Sequence, residues 1–343
     1  MAFSPAANYH LRPLEAELEG ASPDVPSAWL RFRYWMETTF LHSLAAVVAL
    51  FPRRVVLGLA DRLGYIAFYV LPAERRVAEW NVNFVFGDTK TPKEKTRIAR
   101  MGMRTIARNL AGLFWARRLT KENFRRHVDV DEASWQWFEQ VRARGKGVIL
   151  ITPHYGDWEM GSIAVGFLGA PYVTVTEKFK NDDVADLMTS LRGISGHSTM
   201  PPRYAVVKLF KALKRGGMIG VLVDVNGRRG RGGVWLDFFG LQVFNAAAVA
   251  DLAVRTGAPI VFCVAHPIEG FRTRAVFGPE VELSQTGDAE ADSRITNQRC
   301  LDLCADLIRQ NPDHWLWIYK RWKRRPTPEI GRYPYYSKYD PNT

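Results

Sequence analysis

Cysteine is scarce in these 343 residues: Cys263, Cys300 and Cys304 are the whole complement. No Cys-x-x-Cys occurs, and three thiols cannot all pair with one another, which points to a reducing compartment and excludes a zinc ribbon. Cys300 and Cys304 stand four apart in a helical stretch and are expected to face a core together. There is no Gly-x-Ser-x-Gly nucleophile elbow. Gly227, Gly230, Gly232 and Gly233 form neither a Walker A loop nor a Gly-x-Gly-x-x-Gly pattern, so no nucleotide cofactor is expected. His10, His42, His127, His154, His197, His266 and His314 offer no His-x3-His spacing, so a metal-dependent hydrolase built on His154 would need distant ligands. The start of the chain lacks the pattern of a secretion signal. Long apolar runs are interrupted: FLHSLAAVVALF (40–51) is cut by Pro52-Arg53-Arg54 and falls short of the roughly 20 residues a spanning helix needs. VVLGLADRLGYIAFYVLP (55–72) carries Asp61 and Arg62, which are costly in lipid. Acid is in deficit too: 35 Asp and Glu stand against 47 Lys and Arg, a net charge of +12. That balance favours nucleic acid, phosphorylated metabolites or anionic lipid headgroups as partners.

A hydrophobic content of 47% excludes a disordered chain, and the length suits one elaborated domain or two small ones. Residues 1–27 read as a loose segment. Over 28–92 the apolar runs, flanked by Arg31, Arg33, Arg53, Arg54, Arg75 and Arg76, read as helices that dock on or dip into an anionic membrane face. Plain core helices or a true span fit the same residues. Residues 93–119 repeat apolar positions at three- and four-residue steps and read as an amphipathic helix. From 134 onward short apolar runs alternate with helical stretches: GVILIT (147–152), PYVTVT (171–176), MIGVLVD (218–224) and PIVFCVAH (259–266). This predicts an α/β fold with a mainly parallel or mixed sheet flanked by helices, over 93–326, with 271–283 as further strand at an edge. A last helix is expected near 288–311, and 327–343 form a tail.

In LITPHYGDWEMG (150–161), His154 and Glu159 are five apart. A continuous helix would set them about 140° apart, and a continuous strand would send them to opposite faces. They converge only where a strand ends, turns and starts a helix. Pro153, Gly156 and Asp157 (a candidate N-cap) give the stretch that form. At the carboxyl end of a parallel strand, where ligands collect, a carboxylate on one ring nitrogen would leave the other free to act as a general base. A buried histidine satisfied at a helix start fits the same spacing.

Four segments, in order, resemble the bacterial lipid A biosynthesis acyltransferase family of the lysophospholipid acyltransferase superfamily. They are TPHYGDWEMG (152–161), VDVNGRRGRGGVWLDFFG (223–240), LAVRTGAPIV (252–261) and NPDHWLWIYKRWK (311–323); EWNVNFVFGD (79–88) is a weaker fifth. The resemblance covers roughly residues 30 to 325. It implies a glycerol-3-phosphate acyltransferase-like fold with N-terminal apolar membrane-docking helices, at the cytoplasmic face of the bacterial inner membrane. The implied reaction moves an acyl chain from an acyl carrier protein or acyl-CoA thioester to a hydroxyl of an anionic lipid acceptor, without a cofactor or covalent acyl-enzyme. Carried over, His154 is the base and Glu159 its orienting partner. After Phe-Phe-Gly the family has a small residue, then Ser or Thr, then Gly. Here LQVFNAAAVA supplies Phe244, Asn245 and Ala248, so acceptor and chain length do not carry over.

Asp224 ends an apolar strand, with Arg228 and Arg229 in the loop beyond, an arrangement suited to holding a phosphate. A solvated basic turn is the alternative, and Asp224 could serve the loop rather than the substrate. Lys178 and Arg192 flank a lid or helix and are weaker candidates for acceptor or carrier contacts. Phe238 and Phe239 suit either the core or an acyl groove. Trp315, Trp317 and Trp322, among Lys320, Arg321 and Lys323, suit either an interface belt or a packed strap. A nucleic-acid binder would leave 28–72 unexplained and shows no recognition signature, so no nucleic-acid partner is expected.

Overall fold

The computed structural model describes residues 27–176, 179–202, 205–228 and 232–340. The loose segment expected over 1–27 lies outside them except for Ser27, and so do Lys178 and Arg229. Ser27 caps the first helix, α1 (Ala28–Val48), accepting from the Leu30 amide at 3.2 Å.

Helix α2 (Arg53–Val70) buries Arg53, Val56, Leu57, Ala60, Gly64 and Phe68, a stripe at three- and four-residue steps. The stripe faces α4 (Pro92–Trp115), which starts with a Thr91–Glu94 capping box and Pro92 in its first turn. A side chain at Gly64 would place its Cβ 2.6 Å from Arg104 Cα, so glycine sets how closely the two helices cross. Asp61, the acid that breaks the apolar run, points inward and pairs with Arg104 and Arg108 of α4. The opposite face of α2 is bare: Val55, Leu59, Leu63, Ile66 and Val70 are all exposed. α3 (Pro72–Phe86) turns back across α4.

The rest of the chain builds one layered sheet. In chain order the elements are β1 (Val128–Val130), α5 (Glu132–Arg142), β2 (Val148–Thr152), α6 (Trp158–Phe167), β3 (Val173–Val175), α7 (Asp182–Gly193), β4 (Ser198–Met200), α8 (Ala205–Lys214) and β5 (Met218–Leu222). Then follow β6 (Gly233–Phe238), β7 (Leu241–Ala246), α9 (Ala248–Thr256), β8 (Ile260–Ile268), β9 (Arg272–Val281) and α10 (Ala289–Gln310). The seven-stranded sheet has the order β1-β9-β8-β2-β5-β3-β4. β2 is parallel to both β5 and β8, and β8 to β9 is the antiparallel pair. The 271–283 stretch therefore lies one strand in from the edge, which β1 occupies. Along β2, Ile149 and Ile151 face a layer with α8, α9 and α10, while Val148 and Leu150 face α5, α6 and α7. Burial on both faces explains why these strands read as continuous apolar runs.

The sequence reading passed over the β6–β7 hairpin, because glycines and a charged loop precede it. Its turn needs positive φ at Phe239 (58°) and Gly240 (80°), the backbone of a tight hairpin. Beyond α10 the chain straps back over the site: Trp315, Trp317 and Trp322 are 0% exposed, so they are packing residues and not an interface belt. Cys300 and Cys304 are buried together on α10.

Candidate active site

Two parallel neighbours, β2 and β5, end side by side, and each delivers one side chain just past its last residue. β2 gives His154 and β5 gives Asp224. The His154 ring Nδ1 lies 2.9 Å from Asp224 Oδ1, and the His154 amide donates to Asp224 Oδ2 at 2.9 Å. Trp315 Nε1 donates to the same Oδ2 at 2.9 Å. Asp224 is 1% exposed. Burial alone would raise its carboxyl, but the charge and hydrogen bonds of His154, with the Trp315 bond, hold it below the ordinary value. An ionised, acceptor-only carboxylate selects one tautomer of the neutral ring, with the proton on Nδ1 and the lone pair on Nε2. The Trp158 ring meets the imidazole edge-on at 5.3 Å.

Glu159 is bonded to a different partner from the one its sequence spacing suggests. Both its oxygens are taken by Arg192, at 2.6 Å from Nη2 and 3.1 Å from Nε, a two-pronged pair. Burial would lower the Arg192 pKa, but the Glu159 charge and hydrogen bond raise it. The turn explains the outcome. Gly156 has φ 63°, and a Cβ there would sit 2.0 Å from the Ala265 carbonyl oxygen. The chain is thus pressed onto β8, and α6 starts with Glu159 directed at α7. Asp157 occupies the N-cap position, yet it caps nothing: its carboxylate accepts from Arg53 Nη2 and Thr273 Oγ1, each at 2.8 Å.

Arg228 lines a cavity of about 510 Å³ with Asn226, Tyr319, Lys320, Lys323 and Arg324, opposite Glu74 on α3. Below it Arg321 is fully buried and donates to Asn226 Oδ1 at 3.1 Å and Asn245 Oδ1 at 2.6 Å. Burial pulls its pKa down. Phe238 is 1% exposed and packs on Trp315 and Trp322, so it belongs to the core and not to an open groove. Phe239 is half-buried beneath Arg309. Burial pushes the thiols of Cys263 and Cys300 up to about 12, which leaves them protonated and poorly nucleophilic. Among the described residues no group of three or more His, Cys, Asp or Glu side chains is arranged to hold a metal ion.

The role of Asp224 had one sequence signal, an acid at the end of a strand. Which strand lies beside β2 is a property of the topology, and nothing local to residues 150–161 reports it.

Comparison with known proteins defines the class. The chain belongs to the family of bacterial lipid A biosynthesis acyltransferases, whose model matches residues 26–324, and it is an acyltransferase. It is similar to the lipid A biosynthesis lauroyltransferase of Escherichia coli (strain K12), 22% identical over 91% of this chain and 99% of that protein. The lipid A biosynthesis palmitoleoyltransferase of the same organism is 22% identical over 89% of this chain and 96% of its own length. The phosphatidylinositol mannoside acyltransferase of Mycolicibacterium smegmatis is 29% identical over 52% of this chain and 57% of that protein.

Proposed function

We propose that this acyltransferase moves a fatty acyl chain from an acyl carrier protein or acyl-CoA thioester to a hydroxyl of a lipid A precursor-like acceptor, with His154 as general base. The observation that carries the reading is the Nδ1 contact with Asp224, which leaves Nε2 aimed away from that carboxylate. The acceptor O–H gives its proton to Nε2 as its oxygen bonds to the thioester carbonyl carbon. The C–S bond then breaks, and the imidazolium returns the proton to the departing sulfur. Asp224 stays ionised and stabilises the imidazolium between the two transfers. Glu159 acts through Arg192, which it holds rigid for an anionic group of the substrate. Arg228 and the neighbouring cations of the cavity it lines suit a phosphate, and Arg229 extends the same loop in sequence. Lys178 remains a candidate for carrier contact.

The enzyme works at the cytoplasmic face of the bacterial inner membrane, with α1 and α2 seated in the leaflet. Trp29, Phe40, Leu50, Leu59 and Val70 are 57–77% exposed, large apolar side chains of the kind that mark a membrane or protein contact when grouped. Arg31, Arg33, Arg54, Arg75 and Arg76 border it. No single described helix is long and apolar enough to cross a membrane. The pair Arg53–Val70 and Pro72–Thr89 is together long and apolar enough by length and composition, but it is bent by 92°. A phosphoglycolipid acceptor is the second reading, favoured by the likeness to a phosphatidylinositol mannoside acyltransferase.

His154→Ala should slow acyl transfer at least about 10²-fold with the fold retained; a well-folded, active variant overturns the assignment. Mass spectrometry of lipids from cells lacking the protein should show one lipid class short of one acyl chain. An unchanged lipid A profile would remove that acceptor.

A further inference from the structure

A cavity of about 270 Å³ opens beside the Gly156–Asp157 turn, between α2, α4 and the β8–β9 connection. Its walls include Leu57, Arg108, Asn109, Asp157, Phe271 and Arg272; His154, Asp224 and Arg192 are not among them. Just below the range for small-molecule sites, it suits a headgroup rather than a whole lipid.

Its chemistry is two-sided. Arg53, Arg54, Arg104, Arg108 and Arg272 gather around it against Asp61, Asp157 and the exposed Glu269. Asp61 is shared by two guanidiniums and Asp157 is held by Arg53, so positive charge is left over. Arg272 Nε is buried without a hydrogen-bond partner. Beside these donors stands a buried acceptor in the same condition, Asn109 Oδ1. Asn109 is 3% exposed, and its amide orientation is fixed because Nδ2 donates to two carbonyls, Thr105 at 3.0 Å and Gly156 at 2.5 Å. Two flanking histidines feel the same field. His127, lowered to about 4 by burial and then by Arg53, Arg126 and Arg272, is one. His314, lowered to about 4 by burial and then by Arg108, is the other.

We propose that this cavity is a second lipid-headgroup site, which takes a phosphate ester with a neighbouring hydroxyl. The phosphate answers Arg108 and Arg272, and the hydroxyl donates to Asn109 Oδ1. Leu57 and Phe271 admit the start of the glycerol backbone, and the exposed face of α2 brings the bilayer alongside. For the source of the headgroup, and for that alone, the inference rests on the membrane-docking reading above.

The test uses the full chain with phosphatidylcholine vesicles, with and without phosphatidylglycerol, and calorimetry with sn-glycerol 3-phosphate. Arg272→Gln should weaken both the phosphatidylglycerol-dependent retention and the glycerol 3-phosphate affinity about tenfold, the size of one lost charge-assisted bond. Arg294→Gln, which removes the same charge from an exposed position on α10, should change neither. Equal losses from the two variants, or none from Arg272→Gln in a protein of unaltered melting temperature, overturn the site. Glycerol 3-phosphate binding without phosphatidylglycerol-dependent retention overturns the lipid source and leaves a soluble phosphate ester as occupant. The assay reads no acyl transfer, so it gives the same answer in His154→Ala protein. Failure here leaves the acyltransfer reading standing, and an inert His154 leaves this site standing.

Discussion

Asp224 and Glu159 both lie close in space or in sequence to His154, yet they are engaged differently: one holds the imidazole and the other holds an arginine. Their substitutions should therefore separate. Asp224→Asn frees the ring tautomer and is expected to lower kcat by roughly 10²–10⁴-fold with little change in KM. Glu159→Gln loosens Arg192 and should raise KM for the anionic substrate more than it lowers kcat. Steady-state kinetics of the two variants decide the matter, and an inverted pattern would return the orienting role to Glu159. Trp315→Phe removes one donor from the buried carboxylate and should cost about 1–3 kcal/mol of stability, readable by denaturant titration. At this scale the sequence was only half legible. His154 stood out because its turn is written in Pro153 and Gly156, but its partner arrives from 70 residues away through strand order. Proximity in sequence pointed to Glu159, whereas the carboxylate that bonds the ring is Asp224.

Among the elements, α2 is the most divided. Its inner stripe, with Asp61 turned to two arginines, is a packing surface, and its outer face is not. Leu59→Asp with Leu63→Asp should abolish vesicle pelleting while leaving the melting temperature within a few degrees, because neither side chain is buried. A large fall in melting temperature would mean that the face packs within the protein. Gly156→Ala tests the opposite kind of site. It forces a Cβ against β8 at positive φ and should both destabilise the fold and reduce activity, because the turn aims His154. Most helices and strands were readable from periodicity and from apolar runs bounded by Gly and Pro. The β6–β7 hairpin was not, because its turn is made by Phe239, a residue that rarely adopts positive φ, and the glycines ahead of it read as loop.

Over the whole molecule, charge and acidity act together. His127 and His314 are held neutral in the fold to about pH 4, whereas in the unfolded chain they take up protons near 6.5. Between those values the unfolded state binds more protons, so stability should fall as pH drops from about 6.5 to 4 and level off below. Replacing both histidines with glutamine should flatten that slope in a series of thermal melts. A net charge of +12 also implies that attachment to anionic vesicles weakens with added salt, more steeply than the apolar contact alone would allow. The strap beside the site makes it vulnerable to truncation. Trp315 reaches Asp224, the His314 carbonyl receives the Gly156 amide, and Leu316 bonds the His154 carbonyl, so three consecutive residues after α10 clasp a candidate centre supplied by β2 and β5. A chain cut before His314 would lose all three bonds at once, so such a truncation should abolish acyl transfer even where β2 and β5 are intact.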